Sequence, residues 1–137
     1  MLRIPPVLML ALLLAGCATD PTSTPTPPPS PNPIPNLQAM TVHDRLTIEL
    51  SWGQAPGPAN TYVIQRAESE SGPWAEIARL PATEPRRYMD DDGLQDNQRY
   101  WYRVITALDD GQTSEPSAPV NAIATDLPRP TPTPTTS

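Results

Sequence analysis

The residues of this chain that could do chemistry are few, and their spacing rules most of it out. Asp90-Asp91-Asp92-Gly93 sets carboxylates beside a glycine, the raw material of a calcium loop. An EF-hand loop, however, alternates its acids as D-x-D-x-D-G and closes on a glutamate at its twelfth position. Here the acids are contiguous and the stretch is short, so it reads as a solvated turn. His43 is the single histidine. With no cysteine cluster to join, it makes no zinc site and reads as an exposed or loop residue. No serine sits in a G-x-S-x-G context with a base. Paired carboxylates for glycoside hydrolysis need a cleft of fixed width, which a domain this small seldom provides. The 6 glycines form no phosphate-cradling loop. The expectation is a protein that is not an enzyme and binds no metal and no cofactor.

One reactive group remains, the thiol of Cys17, which is the single cysteine. Whatever folds downstream therefore has no disulfide. Upstream, Met1-Leu2-Arg3 is short and basic, and Val7 to Ala15 is an apolar run rich in Leu and Met. The run is shorter than the about 20 residues a bilayer span needs, but it suits the core of a signal peptide. Pro5 and Pro6 stand at its entry, where a helix break is tolerable. The run ends in Leu14-Ala15-Gly16-Cys17. This resembles the lipobox of bacterial lipoproteins. The resemblance implies cleavage after residue 16, diacylglycerol on the Cys17 thiol and acylation of the new amine. An ordinary signal peptide with an incidental cysteine is the competing reading, although its cleavage site would read A-x-A. Several acyl chains make a durable anchor where one does not. Ala18, not Asp, follows the cysteine. By the same resemblance, a diderm host would send the protein to its outer membrane rather than retain it at the inner one.

The flanks are built from proline. The chain's 21 prolines gather at its two ends, and residues 18–35 carry hardly any apolar side chain to bury. Such a segment favours polyproline II at about 3.1 Å per residue, so 17–35 forms a lipidated tether reaching roughly 50 Å. A proline-rich ligand for an SH3-like domain and a Thr/Pro glycosylated stalk are the alternatives. Residues 126–137 repeat the style as a disordered tail. The net charge of -6, with no lysine among the basic residues, argues against a nucleic-acid partner.

Between the flanks, residues 36–125 have the size of one small domain with the period of β-strands. Leu46, Ile48, Leu50 and Trp52 alternate with Thr47, Glu49 and Ser51. Tyr62, Ile64 and Arg66 alternate with Val63 and Gln65. Tyr100, Tyr102, Val104 and Thr106 fall on one face of the longest strand, with Trp101, Arg103 and Ile105 on the other. Further strands are expected over 36–39, 75–80, 86–90 and 119–124. Asp109-Asp110-Gly111 is a hairpin turn. The order of Trp52, Tyr62 with Ile64, Leu94 six residues before Tyr100, Val104, and Gly111-Gln112-Thr113-Ser114-Glu115-Pro116-Ser117 resembles a fibronectin type III domain. That resemblance implies an all-β, immunoglobulin-like sandwich of seven strands, with Tyr100 making the corner before strand F. The segment from Tyr88 to Leu94 is a residue longer than in many relatives, which leaves the register of strand E open.

The function classes that fit are an interaction module and a structural spacer or assembly subunit, in either case anchored at the cell envelope. In the family's topology, strands C, F and G share a sheet. Alternation then sets Val63, Gln65, Trp101, Arg103, Ile105 and Ile123 on its outer face. This apolar patch with tryptophan and arginine is the candidate binding face, for a surface protein or a glycan.

Overall fold

The computed structural model describes residues 30–128 together with Pro132 and Thr135. The signal segment, Leu14-Ala15-Gly16-Cys17, most of the tether and most of the tail lie outside the described residues. The strands are β1 (Gln38–Val42), β2 (Thr47–Ser51), β3 (Thr61–Ala67), β4 (Ala75–Pro81), β5 (Arg87–Asp90), β6 (Gln98–Ala107) and β7 (Val120–Ala124). They form two sheets, ordered β1-β2-β5 and β4-β3-β6-β7. All pairings are antiparallel. The register left open for strand E is settled by pairing with β2, where Leu50 faces Tyr88 and Ile48 faces Asp90.

The sheets meet through the alternating apolar residues. Ile48, Leu50, Ile64, Tyr102 and Val104 are fully buried. Each such aliphatic side chain contributes about 1.5–3 kcal/mol over an exposed one. Trp52 meets Tyr62 edge to face, with centroids 5.5 Å apart. At the corner, the backbone N–H of Gln95 donates to the Tyr100 hydroxyl at 2.9 Å. Tyr100→Phe removes that acceptor, and chemical denaturation is expected to register a loss of about 1 kcal/mol.

The serines of Gly111–Ser117 have a structural reason. Before β7 begins, the Ser114 and Ser117 hydroxyls accept the backbone N–H groups of Thr106 and Val104, each at 3.0 Å. Their own N–H groups donate back to the carbonyls of Thr106 and Val104. Both serines are buried and stand in for a strand that Pro116 could not supply. The Asp109–Gly111 turn closes with Gly111 at φ 89°, a left-handed value that favours glycine.

The packed unit begins earlier than residue 36. Pro31 is buried, and Ile34 joins the core at 5% exposure. Thr106 Oγ1 donates to the Asn32 carbonyl at 2.7 Å, and Gly53 N–H donates to the Pro35 carbonyl at 2.9 Å. A Cβ on Gly53 would come within 2.9 Å of the Pro35 ring, so the close approach requires glycine there. The end of the tether is thus docked across one pole of the sandwich. Ile34 is a lone aliphatic side chain in a run of proline and polar residues, and composition averages it away.

Candidate functional site

Alternation along β6 builds the candidate face. Tyr100, Tyr102 and Val104 turn into the core, so Arg99, Trp101, Arg103 and Ile105 point outward from the four-stranded sheet. Their neighbours in register are Gln65 beside Arg103, Val63 beside Ile105, Ala67 and Asn121 beside Trp101, and Ile123 beside Arg99. Arg103 Nε donates to Gln65 Oε1 at 2.6 Å, and its guanidinium lies 4.4 Å from the ring centroid of Trp74. Arg99 donates to Asn121 Oδ1. Arg79 pairs with Glu76.

The face differs from the continuous apolar patch expected in two respects. Val63 points outward but is buried at 5%, between Ile105 and Arg79. Ala67, outward beside Trp101, is buried at 4%. Outward residues this well covered lie beneath their neighbours' side chains. Ile123 is exposed, but it opens onto a separate groove of about 500 Å³ with Met40, Thr41, His43, Asn97 and Leu127. That groove lies where β1 runs beside β7, and sequence reading missed it because Met40 and Leu127 fall in segments without a clear period. Trp74 was also missed as part of the face. It lies in a turn, where alternation gives no direction.

A second cluster lies on the inner face. Arg66 Nη1 donates to Asp90 Oδ1 at 3.0 Å, to Asp90 Oδ2 at 2.8 Å and to the Asp92 carbonyl at 2.8 Å. The Tyr102 hydroxyl donates to Asp90 Oδ2 at 2.7 Å. The Arg66 guanidinium stands 5.2 Å from the Tyr100 ring centroid. Asp90, the last residue of the expected 86–90 strand and also grouped with the solvated acids, is 1% exposed, whereas Asp91 and Asp92 are exposed as expected. The reason is its place as the last residue of β5, opposite Ile48, where alternation turns it inward. Its geometry is that of a structural ion pair, with both carboxylate oxygens held. Burial alone would lower the Arg66 pKa, but the hydrogen bond and charge of Asp90 outweigh it and hold the pKa above its ordinary value. Among the described residues no group of three or more His, Cys, Asp or Glu side chains could hold a metal ion.

Burial pushes the Tyr102 phenol far above its ordinary range, and the bond to Asp90 and that carboxylate's charge act in the same direction. The fold therefore holds Tyr102 protonated. The resulting stability is complete below the unfolded value of about pH 10 and is lost above it, as the unfolded phenol ionises while the native one does not. Stability is expected to fall by up to about 1.4 kcal/mol per pH unit in that window, and Tyr102→Phe should flatten the slope. Denaturant titrations between neutral and strongly alkaline pH compare the two.

Comparisons with known proteins agree with this architecture. No protein-family model matches the sequence, and no curated protein matches it. Among solved structures, the chain is similar to a Fn3-like protein from Clostridium thermocellum. Identity is 27% and the TM-score 0.60, over 73% of this chain and 96% of the other. A β-1,2-glucanase from Parabacteroides distasonis matches at 25% identity and a TM-score of 0.57, over 72% of this chain but only 13% of that enzyme. The fn3 domain of human collagen α-1(XX) shares the fold at 20% identity and a TM-score of 0.52, over 77% of this chain and 93% of that domain. The described residues form an all-β sandwich of the fibronectin type III fold. This fold supports a binding or structural module.

Proposed function

We propose that the chain is a non-catalytic lipoprotein of the cell envelope. In this reading Cys17 carries the lipid, the proline-rich segment that follows it tethers the domain, and the outer face of the β4-β3-β6-β7 sheet meets a surface protein or a glycan. In a diderm host the anchor would lie in the outer membrane, since Ala18 follows the cysteine. The observation that carries the binding role is the set of half-buried Trp74, Trp101, Arg103 and Ile105 on one rigid sheet face. Tryptophan and arginine are the residues most enriched at interface hot spots. The docked tether supports the same choice. Its described residues bond at the pole by Gly53 and Thr106, and none of the hydrogen bonds among the described residues ties them to the outer face of the sheet. A spacer role is the second reading, favoured by the mutual pairing of Arg103 with Gln65 and of Arg99 with Asn121.

Fractionation tests the anchor. Wild-type protein is expected with membranes, and Cys17→Ser is expected soluble or unprocessed. An intact mass beginning at an unmodified Cys17 refutes lipidation. Co-purification from detergent extract tests the face. Trp101→Ser with Ile105→Thr should abolish recovery of a partner while the circular dichroism of the folded domain is kept, and retention of the partner leaves the spacer reading.

A further inference from the structure

Charge is unevenly distributed over this acidic domain. The outward strand residues of the four-stranded sheet include Arg79, Arg99 and Arg103 but one carboxylate, Glu76, already engaged by Arg79. Among the described residues, Arg99 and Arg103 have only the neutral amides of Asn121 and Gln65 as hydrogen-bonded side-chain partners. Their charge is therefore uncompensated by those bonds, in a chain whose net charge is -6. Between them on the same strand stands Trp101, half-buried and outward. Outward positions along a strand recur every about 6.6 Å, so the order Arg99, Trp101, Arg103 is a row of cation, aromatic face and cation about 13 Å long. Trp74 adds a second indole, stacked against the Arg103 guanidinium.

We infer that this row is a binding site for an acidic polysaccharide, one whose sugar rings carry carboxylates. The inference rests on the binding face proposed above and names its ligand class. A guanidinium pairs with a carboxylate through two parallel hydrogen bonds. The apolar face of a sugar ring stacks on an indole. A uronate chain offers both in alternation, charge at each ring's edge and C–H surface between, with a repeat that a row of this length spans over a few rings. The planar amides of Gln65 and Asn121, already orienting the two arginines, are placed to take the ring hydroxyls. A neutral glycan would leave the two cations without a counter-charge. A purely ionic partner would leave Trp101 unused.

Native affinity electrophoresis of the detergent-solubilised full chain tests this with polygalacturonate and alginate in the gel. Carboxyl-reduced samples of the same polymers and double-stranded DNA serve as comparisons. The expected result is retardation by at least one uronate polymer, weakened by salt, and little by the reduced polymer or DNA. Arg99→Gln with Arg103→Gln should lower the apparent affinity about tenfold or more. No retardation by either uronate polymer overturns the inference, as does equal retardation by the reduced polymers or by DNA. If uronates fail while Trp101→Ser with Ile105→Thr still abolishes co-purification of a partner, the face stands and its assignment to acidic glycans falls.

Discussion

Arg66→Ala is expected to lower the unfolding free energy by about 3–5 kcal/mol, because it strips a buried carboxylate of its counter-charge. The Asp90 side chain is 2% exposed and that of Arg66 21%. With the guanidinium gone, Asp90 keeps the Tyr102 hydroxyl as its side-chain hydrogen-bond donor and loses its counter-charge. Small domains hold about 5–15 kcal/mol in all, so this single change brings the fold near its limit. The size of the effect does not mean the pair is itself strongly stabilising. Replacing the whole cluster with apolar groups, as Arg66→Met, Asp90→Leu and Tyr102→Phe together, should recover most of the loss. Urea titration of the single and triple variants distinguishes a costly orphaned charge from a favourable bridge. A loss under about 1 kcal/mol for Arg66→Ala would mean that water reaches Asp90 after all.

Trp52→Ala should cost about 3–5 kcal/mol through the cavity it leaves. The indole follows β2, is 6% exposed, and packs within the core cluster with Tyr62 edge to face. Its backbone N–H also donates to the Arg86 carbonyl, a bond that the substitution leaves intact. The Nε1–H is buried without a hydrogen-bond partner among the described residues. Trp52→Phe is therefore expected to be much milder, about 1 kcal/mol, since the lost ring area is offset by removal of an unsatisfied donor. Thermal or chemical denaturation that ranked the two substitutions equally would place the indole outside the core.

The strands were legible because a half-buried sheet writes itself as alternation. β6 shows this most plainly, and the corner tyrosine and the serines before β7 follow from the same resemblance. What stayed hidden depends on contacts between segments far apart in sequence. Arg66 was read as alternating with the core-facing Tyr62 and Ile64. An inward arginine needs a buried acid, and no local pattern in the sequence singles out which carboxylate supplies it. Asp90 ends the expected 86–90 strand, but grouping its carboxylate with those of Asp91 and Asp92 hides its inward direction. Alternation turns Val63 outward, but direction does not give exposure. Its burial depends on Arg79 and Ile105 lying beside it across two strand pairings. Trp74 joins Arg103 only because the 69–74 turn brings its ring back over the sheet.

Where β1 runs beside β7, Thr41 Oγ1 donates to the Ile123 carbonyl at 2.7 Å and the Asp44 N–H reaches the Leu127 carbonyl at 3.4 Å. Each of these strands ends a sheet, and an open sheet end is a template on which another chain can add a strand. The Thr41 hydroxyl thus occupies the Ile123 carbonyl that β7 would otherwise offer, and the backbone just past each strand is engaged as well. The remaining ends are guarded differently. β5 is only 4 residues long and follows Pro85, while β4 is bounded by Pro73 and Pro81, carries the Arg79–Glu76 charges, and pairs with β3 through a bulge. A domain without a disulfide therefore carries several guards against aggregating through its edges. Thr41→Val would unlatch one of them, and clumping at high concentration would then appear without any loss of the core.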